Sequence, residues 1–252
     1  MIEQDILKSL QERAYKSEYK PPPEEIILTI DNKICGSTES IVCFSGLPKA
    51  GKSSFLTACI SSAFTPFPIF KIKITPPKKR DTICYIDTES SSYDFYKNMD
   101  RIKTFLELNE VPKKLNAFCF RDLNNTEIRE AIECYLQHQK KCSVLFIDGL
   151  LDLLLDYNDP TESRMCINWL KKITAVHKIL IIGVVHTGKS NNQTLGTFGS
   201  MIDRYCQTVL SVEKNTKENT FELTPKFLRS DGDFDKIAIR HSNGRFILDN
   251  TF

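Results

Sequence analysis

Residues 46–53 have the sequence GLPKAGKS, in which two glycines five positions apart are followed by a lysine and a serine. Glycines permit the backbone conformations that turn successive N–H groups toward an anion at the start of a helix. A lysine at this position reaches the β- and γ-phosphates of a nucleotide, and the serine after it binds Mg²⁺. The pattern therefore predicts a nucleoside-triphosphate site rather than a simple glycine turn. The predicted phosphate contacts, here called the phosphate loop, are Gly46, Leu47, Pro48, Lys49, Ala50, Gly51, Lys52, Ser53 and Ser54.

Three later strand ends carry polar side chains that suit the same chemistry. Glu89 follows the strand-like segment ending in YIDTE, and Asp148 ends the apolar run CSVLFID. His186 ends the run ILIIGVVH. An aspartate in such a position can hold the metal ion through water, and a polar residue at a third strand end can sense the γ-phosphate.

The elements that must position these residues alternate along the chain from residue 24 onward. An alternation of strands and helices predicts an α/β fold with a mainly parallel sheet between helices. Asn125 or Thr126 is expected to cap the helix over 126–141. Strands are predicted at 39–46, 81–87, 116–123, 142–148 and 179–186, and helices at 52–64, from beyond 87 through 108, at 126–141 and at 163–178. From about residue 207, the segments TVLSVEK, NTFELTP, KIAIRH and GRFILD predict short antiparallel strands at a sheet edge.

The amino-terminal segment is predicted to lie outside this domain. Residues 2–19 place Ile2, Ile6, Leu7 and Leu10 on one face of a helix, and three prolines at 21–23 end it as a stiff spacer. The helix either packs on its own domain or docks on a neighbouring subunit. The chain is thus divided into a helix and linker over 1–23 and one nucleotide-binding domain over 24–252.

Composition excludes several classes of protein. The 252 residues include 34 basic and 32 acidic ones, so that the net charge is only +2, and any nucleic-acid binding must come from local loops. Nine cysteines without a C-x-x-C pair predict reduced thiols in a cytoplasmic protein. No apolar run is long enough to predict a membrane span.

Taken in order, several segments resemble the RecA-fold ATPases, and among them the RepA-type helicases encoded by plasmids and mobilizable elements. The segments are GLPKAGKSS, YIDTES, VLFIDGLLDLLLDYNDPTES, VVHTGKS and LGTFGSMIDRYCQTVLSVEK, and the resemblance covers about residues 24–250. It implies a RecA-like P-loop core that binds ATP and Mg²⁺ and assembles into a homo-oligomer, with a hexameric ring as one form. The site then lies between subunits.

The resemblance also implies roles for individual residues. Glu89 matches the carboxylate that activates the attacking water, Asp148 the metal-holding aspartate, and His186 the γ-phosphate sensor. Tyr96 lies where an aromatic residue can stack on adenine. Arg229, with Lys226 as a second candidate, matches a cation that reaches a neighbour's γ-phosphate.

Each role has a structural alternative. Glu89 could cap a helix, Asp148 could simply end its strand, and His186 could be a strand-end histidine with satisfied hydrogen bonds. Tyr96 could instead face the core, and this interpretation is favoured. Lys226 and Arg229 could be solvated charges on a loop. Asp152 and Asp156 are expected to form a polar face rather than a second metal site.

The implied activity is that of a DNA-handling ATPase, which could be a helicase, acting in replication, mobilization or recombination of a mobile element. The loop at 188–200 departs from the family because it offers only Lys189, with Arg204 as partial compensation. The alternative is an ATP-dependent switch or loader that binds a protein partner without translocating on DNA. A small-molecule kinase is disfavoured because no arginine-rich lid segment is present. The expected partner is single-stranded DNA or a DNA-processing protein. No association with a membrane is expected.

Overall fold

A computed structural model describes residues 3–188, 194–242 and 244–249. The described part is an α/β protein, as predicted. Its helices are α1 (Glu3–Arg13), α2 (Lys52–Ser62), α3 (Ser92–Leu106), α4 (Asn125–His138), α5 (Pro160–His177) and α6 (Gly196–Tyr205), with a 3₁₀ helix at Leu150–Leu153. Its strands are β1 (Ile26–Ile30), β2 (Lys33–Ser37), β3 (Ile41–Gly46), β4 (Ile72–Ile74), β5 (Thr82–Asp87), β6 (Leu115–Cys119), β7 (Cys142–Asp148), β8 (Leu180–His186), β9 (Thr208–Asn215), β10 (Thr220–Leu228), β11 (Ile237–Ser242) and β12 (Arg245–Asp249).

Nine strands form one mixed sheet in the order β12-β11-β10-β9-β3-β8-β7-β5-β6. The six strands from β9 to β6 pair in parallel, and β10, β11 and β12 extend the sheet in antiparallel pairs. This confirms the predicted mainly parallel sheet with antiparallel strands at the C-terminal edge. The prediction was wrong for TVLSVEK, because β9 runs parallel to β3 inside the sheet. The carboxyl ends of β3, β5, β7 and β8 therefore meet at one edge.

Helices cover both faces of this sheet, which explains its continuous apolar strands. Alternate residues of β3 point to opposite sides: Val42 and Phe44 belong to one core cluster, and Ile41 and Cys43 to the other. The first cluster includes residues of α2 and α3, and the second includes residues of α4, α5 and α6. All nine cysteines are free, and most lie in these cores.

A small antiparallel sheet, ordered β2-β1-β4, packs on the α2 side and was not predicted from the sequence. Its strands are short, and their inward residues Ile27, Leu28, Ile30, Ile72 and Ile74 are buried. Two hydrogen bonds join it to α2 at Ser62: the Ile74 amide donates to Ser62 Oγ at 2.9 Å, and Lys73 Nζ donates to the Ser62 carbonyl oxygen at 2.7 Å.

Three local predictions were wrong. Asn124 caps α4, rather than Asn125 or Thr126, because its side chain accepts from the amide of Glu127, whose carboxylate binds the Asn124 amide in return. The second half of the predicted loop at 188–200 begins helix α6, whose Phe198 is fully buried. The first helix ends at Arg13 instead of residue 19.

Helix α1 does not pack on its own domain. Its apolar residues Ile6, Leu7 and Leu10 are 45%, 53% and 61% exposed, so no burial extends the helix toward the prolines. Docking on a neighbouring subunit stays a prediction. In the described ranges, no helix is both long and apolar enough to cross a lipid bilayer.

Candidate functional site

The phosphate loop joins the buried strand β3 to helix α2. Gly51 has a left-handed φ of 97°, and a Cβ at this position would lie 2.6 Å from the Phe221 ring. A Cβ on Gly46 would lie 2.2 Å from the carbonyl oxygen of Val212. Both positions therefore require glycine, one for its backbone angle and both for close approach. From the sequence alone, only the backbone angle is predictable.

Lys52 lies within the curve of the loop. Its Nζ donates to the carbonyl oxygens of Gly46 and Leu47, each at 2.8 Å, and lies 3.2 Å from His186 Nδ1. The residue is only 6% exposed, and burial lowers the pKa of its ammonium while the nearby Glu89 and Asp148 carboxylates oppose that fall. An anionic phosphate in this loop would restore a counter-charge to a partly desolvated cation.

Ser53 and Asp148 form the pair expected to hold a metal ion. Ser53 Oγ donates to Asp148 Oδ2 at 2.9 Å, which brings the first residues of α2 against the end of β7. Burial raises the pKa of Asp148 to about 7, and the charge of Asp87 adds to the rise. Magnesium is commonly held by one or two protein oxygens together with phosphates and waters. These two oxygen donors fit that requirement.

Glu89 and His186 face each other beside Lys52. His186 Nε2 lies 3.2 and 3.3 Å from the two carboxylate oxygens of Glu89. Since the Lys52 ammonium can only donate, Nδ1 accepts from it and Nε2–H donates to Glu89. The hydrogen bond from His186 holds the pKa of Glu89 below its ordinary value. Glu89 is therefore an ionised carboxylate.

The alternative role of Glu89 as a helix cap is wrong. Ser91 caps α3, since its Oγ accepts from the amide of Asp94 at 3.1 Å. The Glu89 side chain instead faces the cavity beside the phosphate loop.

Asp87 is a functional candidate that the sequence reasoning missed. This fully buried carboxylate accepts from the backbone amides of Glu89 and Ser90, at 3.1 and 2.8 Å. Its other oxygen accepts from Tyr85 Oη at 3.0 Å and Asn98 Nδ2 at 3.3 Å. Asp87 thus fixes the segment that carries Glu89. An acidic residue within an apolar strand run was the available sequence signal.

These groups share one cavity of about 480 Å³. It brings together the phosphate loop and three strand ends, as expected from the parallel sheet. Helix α3 contributes four residues to the lining. The lining residues are Pro48, Lys49, Gly51, Lys52, Ser53, Ser54, Glu89, Ser90, Asp94, Lys97, Asn98, Arg101, Asp148, His186 and Phe221.

Tyr96 is not among the residues that line this cavity. Its side chain is 58% exposed, with the Lys103 ammonium 5.9 Å from its ring centre. The expectation that Tyr96 packs in the core is therefore wrong. Its role at adenine stays a prediction, and the cavity wall suggests other residues for that role.

Arg229 and Lys226 lie away from the phosphate loop of their own chain. The Arg229 amide donates to Gln207 O, whose own amide donates to Ile41 O at the amino end of β3. Gly46 lies five residues further along β3, about 16 Å away at the usual rise of a strand. The guanidinium of Arg229 donates to the carbonyl of Arg204. This position keeps Arg229 out of its own chain's cavity.

Lys226 is not a solvated loop charge. It lies on β10, and its Nζ forms an ion pair with Asp203 Oδ2 at 2.9 Å. Asp203 also accepts from Thr194 Oγ1 at 2.9 Å. Arg229, which follows β10, is exposed and has no carboxylate partner within 4 Å among the described residues. Arg229 is therefore the freer of the two candidate cations.

The remaining predicted residues have separate surroundings. Asp152 accepts from Thr88 Oγ1 at 2.7 Å, and Asp156 accepts from the amide of Asn158 at 2.8 Å. Arg204 lines a surface cavity with Arg229. Lys189 lies outside the described residues.

Comparison with models of protein families finds no match to this chain, and neither does comparison with curated proteins.

Proposed function

We propose that this protein is a RecA-like ATPase that binds and hydrolyses Mg-ATP. The observation that carries the proposal is the convergence of Lys52, the Ser53–Asp148 pair and the Glu89–His186 pair on one cavity. Each pair comes from distant parts of the chain. A glycine turn with no ligand would not require this convergence.

Each residue of the site has a role in hydrolysis that suits its charge. The loop amides and Lys52 bind the phosphates, and Ser53 and Asp148 would hold Mg²⁺. The metal would offset charge on the phosphate oxygens. Glu89 is ionised and fixed through Asp87, so it can take a proton from the attacking water. His186 lies between Glu89 and Lys52, where it can respond to the terminal phosphate.

The proposal extends to assembly and to DNA. The chain would act as an oligomer in replication, mobilization or recombination of a mobile element, with Arg229 completing a neighbour's site. Its position at the amino ends of the parallel strands supports action on another subunit rather than on its own. The alternative, a switch or loader that binds a protein partner, uses the same ATP site without DNA translocation.

Hydrolysis measured without any added acceptor tests the ATPase class. Wild-type protein should release phosphate from Mg-ATP, while Lys52→Ala protein should not. If single-stranded DNA stimulates ATP hydrolysis, the result supports the DNA-handling ATPase. If hydrolysis does not depend on DNA, the result supports the protein-partner switch. Absence of hydrolysis with a kinase-like requirement for an acceptor would contradict the proposal.

A further inference from the structure

One face of helix α3 extends the cavity away from Glu89. Asp94, Lys97, Asn98 and Arg101 are spaced at i, i+3, i+4 and i+7, and all four line the cavity. Seven residues of α-helix span about 10 Å. The cavity lining therefore extends along the helix from Asp94 as far as Arg101.

Arg101 is a cation that feels the charge of Asp148 without forming an ion pair with it. Its Nη1 donates to Asn98 Oδ1 at 2.9 Å, and its guanidinium carbon lies 5.6 Å from the Phe246 ring centre. Within the described ranges, no carboxylate lies within 4 Å of it. A half-buried guanidinium that faces a cavity, with donors still free, is suited to bind a ligand.

The orientation of this guanidinium is set in advance. Asn98 is 6% exposed, and its Nδ2 donates to Asp87 Oδ2 at 3.3 Å and to Tyr85 Oη at 3.4 Å. These bonds leave the Asn98 carbonyl oxygen for Arg101. A side chain held in this way loses little conformational entropy when it binds.

The two ends of the cavity differ in character. Glu89 and His186 lie at the end that would take the terminal phosphate. Phe221 lines the cavity beside Gly51, and the rings of Phe221 and Phe246 lie 5.8 Å apart at 69°. A planar guanidinium can bind a phosphate or stack on a base. The aromatic rings near Arg101 favour the base, because they offer a stacking surface and no donor for a phosphate.

We propose that Arg101, together with Phe221 in the same cavity, binds the nucleoside end of the nucleotide. This inference rests on the proposed function and names a recognition residue within that same site. It gives Arg101 the role that the resemblance had assigned to Tyr96.

The test compares Mg-ATP with Mg-tripolyphosphate, which has no sugar or base. Arg101→Ala should weaken ATP binding about 10- to 100-fold, the usual effect of losing a charged hydrogen bond. Tripolyphosphate binding should stay unchanged. Arg164→Ala, which removes an exposed arginine on α5 that does not line this cavity, is the control and should leave both ligands unaffected.

Equal losses for both ligands would make Arg101 a phosphate contact and overturn the proposal, as would unchanged ATP binding. Lys52→Ala should weaken the binding of both ligands. If Lys52→Ala weakens ATP binding and Arg101→Ala does not, this inference is contradicted and the proposed function is not. If neither ligand binds the wild-type protein, the proposed function fails and this inference with it.

A second measurement on the wild-type protein covers the case in which Arg101→Ala does not fold. Arg101 is modified with phenylglyoxal, and the product is quantified by mass spectrometry. ATP and adenosine should protect Arg101, and tripolyphosphate should not. Protection by all three, or by none, would overturn the proposal.

Discussion

The two edges of the six parallel strands carry different kinds of polar groups. At the carboxyl edge, side chains pair with one another across the cavity, as Ser53 does with Asp148 and Glu89 with His186. At the amino edge, Arg229 is exposed, and among the described residues its guanidinium donates only to a backbone carbonyl. One edge is thus arranged to enclose an anion, while the other presents a cation outward.

This difference suggests how subunits could meet. A cavity of about 570 Å³ at the amino edge is lined by Arg204 and Arg229 among others. If this edge of one subunit faces the carboxyl edge of the next, Arg229 approaches a phosphate that its own chain cannot offer.

Arg229→Ala tests the amino edge. In hydrolases that use an arginine from a neighbour, this residue contributes about 10³–10⁵ in rate. The variant should therefore lose most hydrolysis, measured as phosphate release, while its ATP affinity stays nearly normal. Lys226→Ala, which removes a cation already paired with Asp203, should have a much smaller effect.

Mixing two inactive variants gives a second test of Arg229. Arg229→Ala and Glu89→Gln proteins should each be inactive, but some mixed interfaces would pair an intact Glu89 with an intact Arg229. Activity should reappear on mixing. If it does not, although subunit exchange is verified, Arg229 does not act across an interface.

Glu89→Gln tests the carboxyl edge. The amide keeps the shape of the side chain but cannot take the proton of water, and loss of a general base costs about 10²–10⁴ in rate. Hydrolysis should fall by this amount while ATP binding persists. Asp152→Asn, at a nearby carboxylate that does not line the cavity, is the matched control. A parallel fall in binding and hydrolysis would make Glu89 structural.

Asp148 gives the carboxyl edge a pH dependence. Because burial raises its pKa to about 7, the folded protein binds this proton more tightly than the unfolded chain does. The resulting stabilisation is present in the acid range and is lost as pH rises through about 7. Asp148→Asn mimics the protonated form, so its advantage over wild type in urea unfolding should grow from pH 5 to pH 8, by up to a few kcal/mol. Parallel pH profiles for both proteins would contradict this reasoning.

Weak DNA binding is the smallest expected effect. Lys189→Ala combined with Arg204→Ala should lower single-strand affinity and reduce its salt slope by about 1.4, the value for two lost phosphate contacts. Fluorescence anisotropy at several salt concentrations measures both quantities. Lys33→Ala, on the small sheet, serves as the control. Absence of binding with and without ATP would favour the protein-partner switch.

The parts of the fold that local sequence specifies were predictable. The phosphate loop has a fixed spacing, and runs such as CSVLFID identify buried parallel strands. The direction of β9 was not predictable, because its partner β3 lies far away in sequence. Helix α6 was not predicted, because its glycines are typical of a loop. In the structure, Gly199 allows a close approach to Thr194.

The site was predictable where single residues follow strand ends. Lys52, Ser53, Asp148, Glu89 and His186 meet as expected from parallel strands that share one edge. The roles of Asp87 and Arg101 depend on tertiary contacts, namely two backbone amides and a ring on β12. No spacing in the sequence reveals such contacts.

The most direct test of the central claim is calorimetric titration of Mg-ATP into wild-type and Lys52→Ala protein. The ammonium of Lys52 lies inside the phosphate loop, so its removal should abolish most of the binding measured for wild type. The variant should remain folded by circular dichroism. Equal Mg-ATP affinity in the two proteins would contradict the assignment of the carboxyl edge as a nucleotide site.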